Sequence, residues 1–203
     1  MIYEGNKIEL SGEICSLCSF NHEKYGENFY NFYVSVKRNS NNIDIIPIIV
    51  SEKIIDISSL TIDKKVKVFG SVRTFNERTE KSRLKVYVHA EDIIIINDNI
   101  DDDLNSVNLE GYICKKTEKR KTPLGRVITD VILAVNRPFG KSDYIPCVFW
   151  GKNANYVDQM DIGDYISIHG RMQSREYIKN GEIFVVYELS VQQLELINEF
   201  LRG

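Results

Sequence analysis

No apolar run in this chain approaches the roughly 18–20 residues that a membrane-crossing helix requires, so no membrane span is expected. The 203 residues include only four prolines, four cysteines, three histidines and one tryptophan, and these scarcities exclude further classes of protein. The start, Met1-Ile2-Tyr3-Glu4-Gly5-Asn6, is polar and acidic and lacks the build of a secretory signal; the expectation is a cytoplasmic protein. Cys15 and Cys18 form a lone Cys-x-x-Cys with His22 four residues on, but a zinc site takes four ligands and no second pair follows. With Cys114 and Cys147 they read as thiols kept reduced in the cytosol. No metal or other cofactor is expected. His22, His89 and His169 have no Ser or Cys partner in a nucleophile motif, and no Gly-rich loop runs into Lys-Ser or Lys-Thr. The sequence does not read as an enzyme.

What is present is ordinary in bulk and uneven in detail. Hydrophobic residues make up 43% and charged residues 27%, as in a globular protein. The net charge of −3 sits in one place: residues 97–105 hold four acids and no base, whereas residues 1–96 hold 13 of each sign and residues 106–203 hold 13 bases and 12 acids. Local patches therefore matter more than the sum.

Strand patterns dominate. They are expected over residues 8–20, 28–38, 43–50, 64–75 and 84–96, with a turn-rich patch at 21–27 and a short helix over 51–60. The segment 97–105, mostly Asn and Asp, reads as a linker. The pattern then repeats, with strands over 107–116, 126–136, 143–150, 164–174 and 182–190 and a helix over 152–160. Residues 191–201, with apolar residues at mixed spacing, either extend the last strand or give way to a short helix.

An offset of 99 aligns Gly12 with Gly111, Cys15 with Cys114, Arg38 with Arg137, Asp44 with Asp143 and Pro47 with Pro146; one more residue then aligns Gly70 with Gly170. A period this long means two copies of one small domain rather than a solenoid. The expected fold class is all-β: two tandem five-stranded OB-fold barrels, each with a short helix between strands three and four. The expected domains are 1–96, a linker at 97–105, and 106–203.

The second copy interleaves rings with bases. Phe139 follows its second strand, Tyr144 and Trp150 lie six apart in the third and so share a side, and Tyr177 tips the hairpin between the last two strands. Lys115, Lys116, Lys119, Arg120, Lys121 and Arg126 surround its first loop; Arg137, Lys141, Lys152, Arg171, Arg175 and Lys179 fall near the rings. Aromatic faces stack on the exposed bases of single strands, and Lys and Arg neutralise phosphates.

This half resembles the bacterial single-stranded-DNA-binding proteins. The matching blocks are Leu109-Glu110-Gly111-Tyr112-Ile113, Thr122-Pro123-Leu124-Gly125, Leu133-Ala134-Val135-Asn136-Arg137, the run from Asp143 to Ala154, and Gly170 to Tyr177. The resemblance implies that Phe139, Tyr144, Trp150 and Tyr177 stack on bases. It also implies a non-enzymatic protein that coats single strands in replication, recombination and repair, at the bacterial nucleoid. Family members work with four OB-folds, so two per chain imply a homodimer.

Two departures stand out. The chain reaches Asn198-Glu199-Phe200-Leu201-Arg202-Gly203 without the family's acidic, phenylalanine-containing tip, which puts recruitment of repair proteins by that route in doubt. At the four ring positions the first copy has Ser40, Ile45, Ser51 and Glu77, although it keeps Lys37, Arg38, Lys53 and Arg73 and has Phe75 near its hairpin. Two other readings stay open at this point: an OB-fold adaptor or replication-restart protein acting through protein contacts, and a single-stranded RNA binder.

Overall fold

The computed structural model describes residues 5–38, 40, 42–77, 83–96, 103–179 and 181–197; at Phe139 and Lys179 it describes the backbone alone. Strands dominate the chain, which has a single short α-helix among the described residues. No described helix is long and apolar enough to cross a membrane. The chain divides into two compact units. The first comprises Lys7–Ser106 with Gln173–Tyr187; the second comprises Met1–Asn6, Val107–Met172 and Glu188–Gly203.

The first unit is built on β1 (Asn6–Ile14), β2 (Ser19–Lys24), β3 (Glu27–Lys37), β4 (Ile43–Ser51), β5 (Lys65–Glu77) and β6 (Arg83–Ile96). Its pairings run β3–β4–β6–β5–β1 and return from β1 to β3, so the strands close on themselves. All are antiparallel except β4 with β6. Phe32, Val34 and Val36 on β3 and Ile46, Ile48 and Val50 on β4 are buried at alternate positions, which is how a strand turns one face to a core. A strand must pass very close at Gly70, where a Cβ would run into the carbonyl of His89; Gly170 meets Ser190 in the same way.

Three sequence expectations change in this unit. The strand expected over 8–20 ends at Ile14, and Ser19–Lys24 forms a separate strand where a turn-rich patch was expected. Every residue of β2 is exposed, so it carries no alternation to betray it. Its turn is Tyr25-Gly26, both at positive φ, the geometry of a tight two-residue hairpin. The helix expected over 51–60 is only a 3₁₀ turn, Ile57–Ser59, whose start is capped by Asp56 accepting from the Ser58 amide at 3.0 Å. Ile54, Ile55 and Ile57 lose side-chain freedom in a helix, and none of the three residues of the turn is buried to repay it.

The second unit contains β7 (Leu104–Lys116), β8 (Arg120–Lys121), β9 (Val127–Asn136), β10 (Ser142–Trp150), α1 (Lys152–Asp158), β11 (Tyr165–Lys179) and β12 (Glu182–Leu196), the middle of the β11–β12 hairpin being counted with the first unit. Here the pairings run β7–β9–β10–β12–β11 and return to β7. Phe149, Leu109, Ile113, Leu133, Ile145, Ile166 and Met172 fill the core, and α1 adds Ala154 and Val157. Of the connector expected over 97–105, residues 97–102 lie outside the described residues. Its last part is ordered: Asp103 accepts from the Lys37 amide at 2.7 Å and pairs with Lys65 at 3.3 Å, and β7 starts at Leu104. At the far end β12 runs to Leu196, which settles the open reading of 191–196 as strand.

The repeat is visible in side chains as well. Arg38 grips Asp44 through Nε and Nη2 in the first unit, and Arg137 grips Asp143 in the same way in the second, with both carboxylates wholly buried.

Candidate nucleic-acid interface

β10 sorts its residues by parity. Asp143, Ile145, Cys147 and Phe149 point into the core, whereas Tyr144 and Trp150 share the other side. Tyr144 is 48% exposed. Trp150 is half-buried, and its Nε1–H donates to Ser190 Oγ on β12 at 3.0 Å. That bond uses the indole's one donor and fixes the ring plane. Val148, between the two rings, is buried, so they form two outposts rather than one open strip.

Neighbouring strands continue the face. Tyr144 lies opposite Ala134 on β9, and Ala134 lies opposite Tyr112 on β7. Tyr112, half-buried, in turn lies opposite Tyr165 on β11, their ring centroids 4.7 Å apart, but Tyr165 is buried and ends the accessible face there. The Tyr165 hydroxyl donates to Glu110 at 3.2 Å. Tyr112 and Tyr165 were not singled out in the sequence. The usable signal was parity: Tyr112 alternates with Gly111 and Ile113, which face the core.

The twelve candidate bases divide into groups. Lys116 Nζ donates to the carbonyl oxygens of Asp158, at 2.8 Å, and Met160, so it caps the C-terminal end of α1. Lys119 pairs with Asp158 at 3.3 Å and Arg120 with Asp130 at 2.5 Å. Arg137 is committed to buried Asp143. Lys115, Lys121, Arg126, Lys141 and Lys152 are exposed, with no ion pair among the described residues. Arg171 is half-buried and Arg175 exposed. The side chain of Lys179 lies outside the described residues, as does the ring of Phe139, whose backbone sits in the 3₁₀ turn Pro138–Gly140.

Tyr144 and Trp150 are thus brought to one face of the second unit. Tyr177 falls in Gln173–Tyr187, which clusters with the first unit. There it stacks on Phe184 at 5.4 Å, and Arg83 lies over the Phe184 ring at 4.6 Å. Ser174 anchors this hairpin, its amide donating to Asp44 Oδ1 at 2.9 Å and its hydroxyl accepting from the Ile45 amide at 3.1 Å. Among the described residues no group of His, Cys, Asp or Glu is arranged to hold a metal ion.

The model of the single-strand binding protein family matches residues 104–197, the stretch that carries Tyr144 and Trp150. A single-stranded DNA-binding protein of Clostridium tetani is 36% identical over 102 residues, 46% of this chain and 70% of that one. Another, from Halalkalibacterium halodurans, is 34% identical over 102 residues. The alignment spans 46% of this chain and 61% of that relative's length. The chain belongs to the single-strand binding protein family. The crystal structure of the wild-type single-stranded DNA binding protein from Thermus aquaticus superposes with a TM-score of 0.77 over 96% of this chain and 93% of that one. At 18% identity that likeness speaks to the fold, and it extends to both units.

Proposed function

We propose that this protein binds single-stranded DNA with little regard to sequence and without catalysis, through base stacking on aromatic rings and phosphate contacts from Lys and Arg. Each copy is an OB-fold, and the second carries the stacking residues Tyr144 and Trp150, joined by Phe139 and Tyr177. The observation that carries the reading is the pairing of those two β10 rings on one outward side, with exposed Lys152 just beyond Trp150. Stacking tolerates sequence because every base has a flat face, and each stack is worth roughly 1–3 kcal/mol. Exposed Lys115, Lys121, Arg126, Lys141 and Lys152 supply the cations that displace counterions from the strand.

The physiological form is a homodimer with four OB-folds. It works in the bacterial cytoplasm, at the nucleoid, where single strands arise in replication, recombination and repair, alongside proteins of those processes.

Trp150 is the sole tryptophan, so its fluorescence reports on this site alone. Titration with oligothymidylate should quench it, with an affinity that falls as salt rises. Absence of quenching, or quenching indifferent to salt, would sink the reading. A competing RNA oligomer of matched sequence should displace the DNA poorly.

A further inference from the structure

The first unit lacks rings at the four family positions, yet its outward surface is rich in them. β5 and β6 set Arg73 opposite Tyr87, Phe75 opposite Lys85 and Glu77 opposite Arg83. These six share one side of the ribbon, because the intervening Val72, Thr74, Val86 and Val88 are buried. That side therefore presents two rings, three cations and one carboxylate. Phe75 and Tyr87 meet edge to face at 5.8 Å. The carboxylate, Glu77, is balanced by Lys85 at 3.4 Å; both are nearly half exposed, so water and salt screen the pair and a phosphate can compete for the lysine.

The surface continues on both sides of the ribbon. Ile49 on β4 lies beside His89 on β6, so two residues earlier Pro47 and Tyr87 share a side as well. Tyr33 on β3 lies opposite Pro47 and is exposed. In the other direction Arg83 covers Phe184, which stacks on Tyr177. The result is a run of rings with guanidinium and ammonium groups between them. Rings with cations between them are the pairing that single-stranded nucleic acid uses, and the excess of cations on the ribbon favours a polyanion.

We infer that the first unit has its own binding face for single-stranded DNA, with Tyr33, Phe75 and Tyr87 taking bases and Arg73, Arg83 and Lys85 taking phosphates. It rests on the function proposed above but uses none of the positions that correspond to the second copy's rings, which here are Ser40, Ile45, Ser51 and Glu77.

The test uses the full chain and an iododeoxyuridine-substituted thymidylate of about 35 nucleotides, a few OB-fold sites long. Photo-crosslinking of the wild-type protein followed by peptide mapping should place adducts at Tyr33, Phe75 or Tyr87 as well as near Tyr144 and Trp150. The occluded length on poly(dT), read from Trp150 fluorescence, should shrink by about one OB-fold's share, roughly 4–16 nucleotides, in Phe75→Ala with Arg83→Glu. Both substituted side chains are exposed, and a circular-dichroism melt checks that the variant stays folded. Adducts confined to the second unit with an unchanged occluded length would overturn this inference and leave the proposed function standing. Failure of the wild-type chain to bind the strand at all would overturn both.

Discussion

The indole Nε1–H of Trp150 donates to the hydroxyl of Ser190 at 3.0 Å, tying the last residue of β10 to β12. A ring held by its own edge keeps one orientation before any ligand arrives, which lowers the entropic cost of stacking. Trp150→Phe keeps an aromatic face but removes this donor, and should cost about 1 kcal/mol of stability by urea melting. Adding Ser190→Ala to that variant should cost little more, because the bond is already gone.

Exposed and committed lysines should behave differently toward salt. Lys152 is exposed, whereas Lys116 holds the carbonyls at the end of α1. Lys152→Ala should flatten the slope of log affinity against log salt by about 0.7, the share of one single-strand phosphate. Lys116→Ala should leave that slope alone and lower the melting temperature instead. The same titration series reads both outcomes.

Tyr144→Ala should weaken binding by roughly 1–3 kcal/mol, the worth of one base stack, while Ile45→Ala at the matching position of the first copy should change it far less. Fluorescence anisotropy of a labelled oligothymidylate measures the two variants side by side.

Burial pushes the Tyr187 phenol up to about 12, with Tyr33 and Cys15 nearby adding to the rise. The folded state therefore keeps a proton that the unfolded chain gives up near pH 10. Its contribution to stability is fully present below that pH and is lost as pH climbs toward 12. Tyr187→Phe should reduce the steepness of alkaline destabilisation in this window, measured by urea midpoints at successive pH values.

Burial, with Glu188 nearby, pushes the Cys147 thiol far above its ordinary range, whereas Cys114 is exposed. Alkylation with iodoacetamide in native buffer should modify Cys114 and spare Cys147 until denaturant is added. Mass spectrometry of timed samples distinguishes the two sites.

The features legible in the sequence are those written locally. The run from Asp143 to Trp150 announces a strand by its apolar alternation, and comparison with Asp44–Val50 marks Tyr144 and Trp150 as additions to a shared frame. Strand β2 was illegible because no residue of it is buried; only its pairing with β3 makes it a strand. The segment 51–60 reads as a helix because Ser51 offers a capping-type start, but its Ile pairs oppose one, and only the 3₁₀ turn at Ile57–Ser59 forms. The duty of Lys116 depends on carbonyls more than forty residues away, and a cation that caps a helix looks the same in a sequence as one that meets phosphate. The grouping of Gln173–Tyr187 with Lys7–Ser106 was equally hidden, since Ser174 meets Asp44 across 130 residues of chain.

That last grouping has a consequence for how the chain is made. A protein emerging from the ribosome ordinarily completes its leading domain first. Here the strands that close the leading unit on themselves, β1 and β3 to β6, are all made by Ile96, whereas Gln173–Tyr187, which clusters with them, emerges only after Met172 of the other unit. The leading barrel can therefore form early, and the bonds between Ser174 and Asp44 and Ile45 are added late. Its folding is completed in two stages, with most of the second unit synthesised between them.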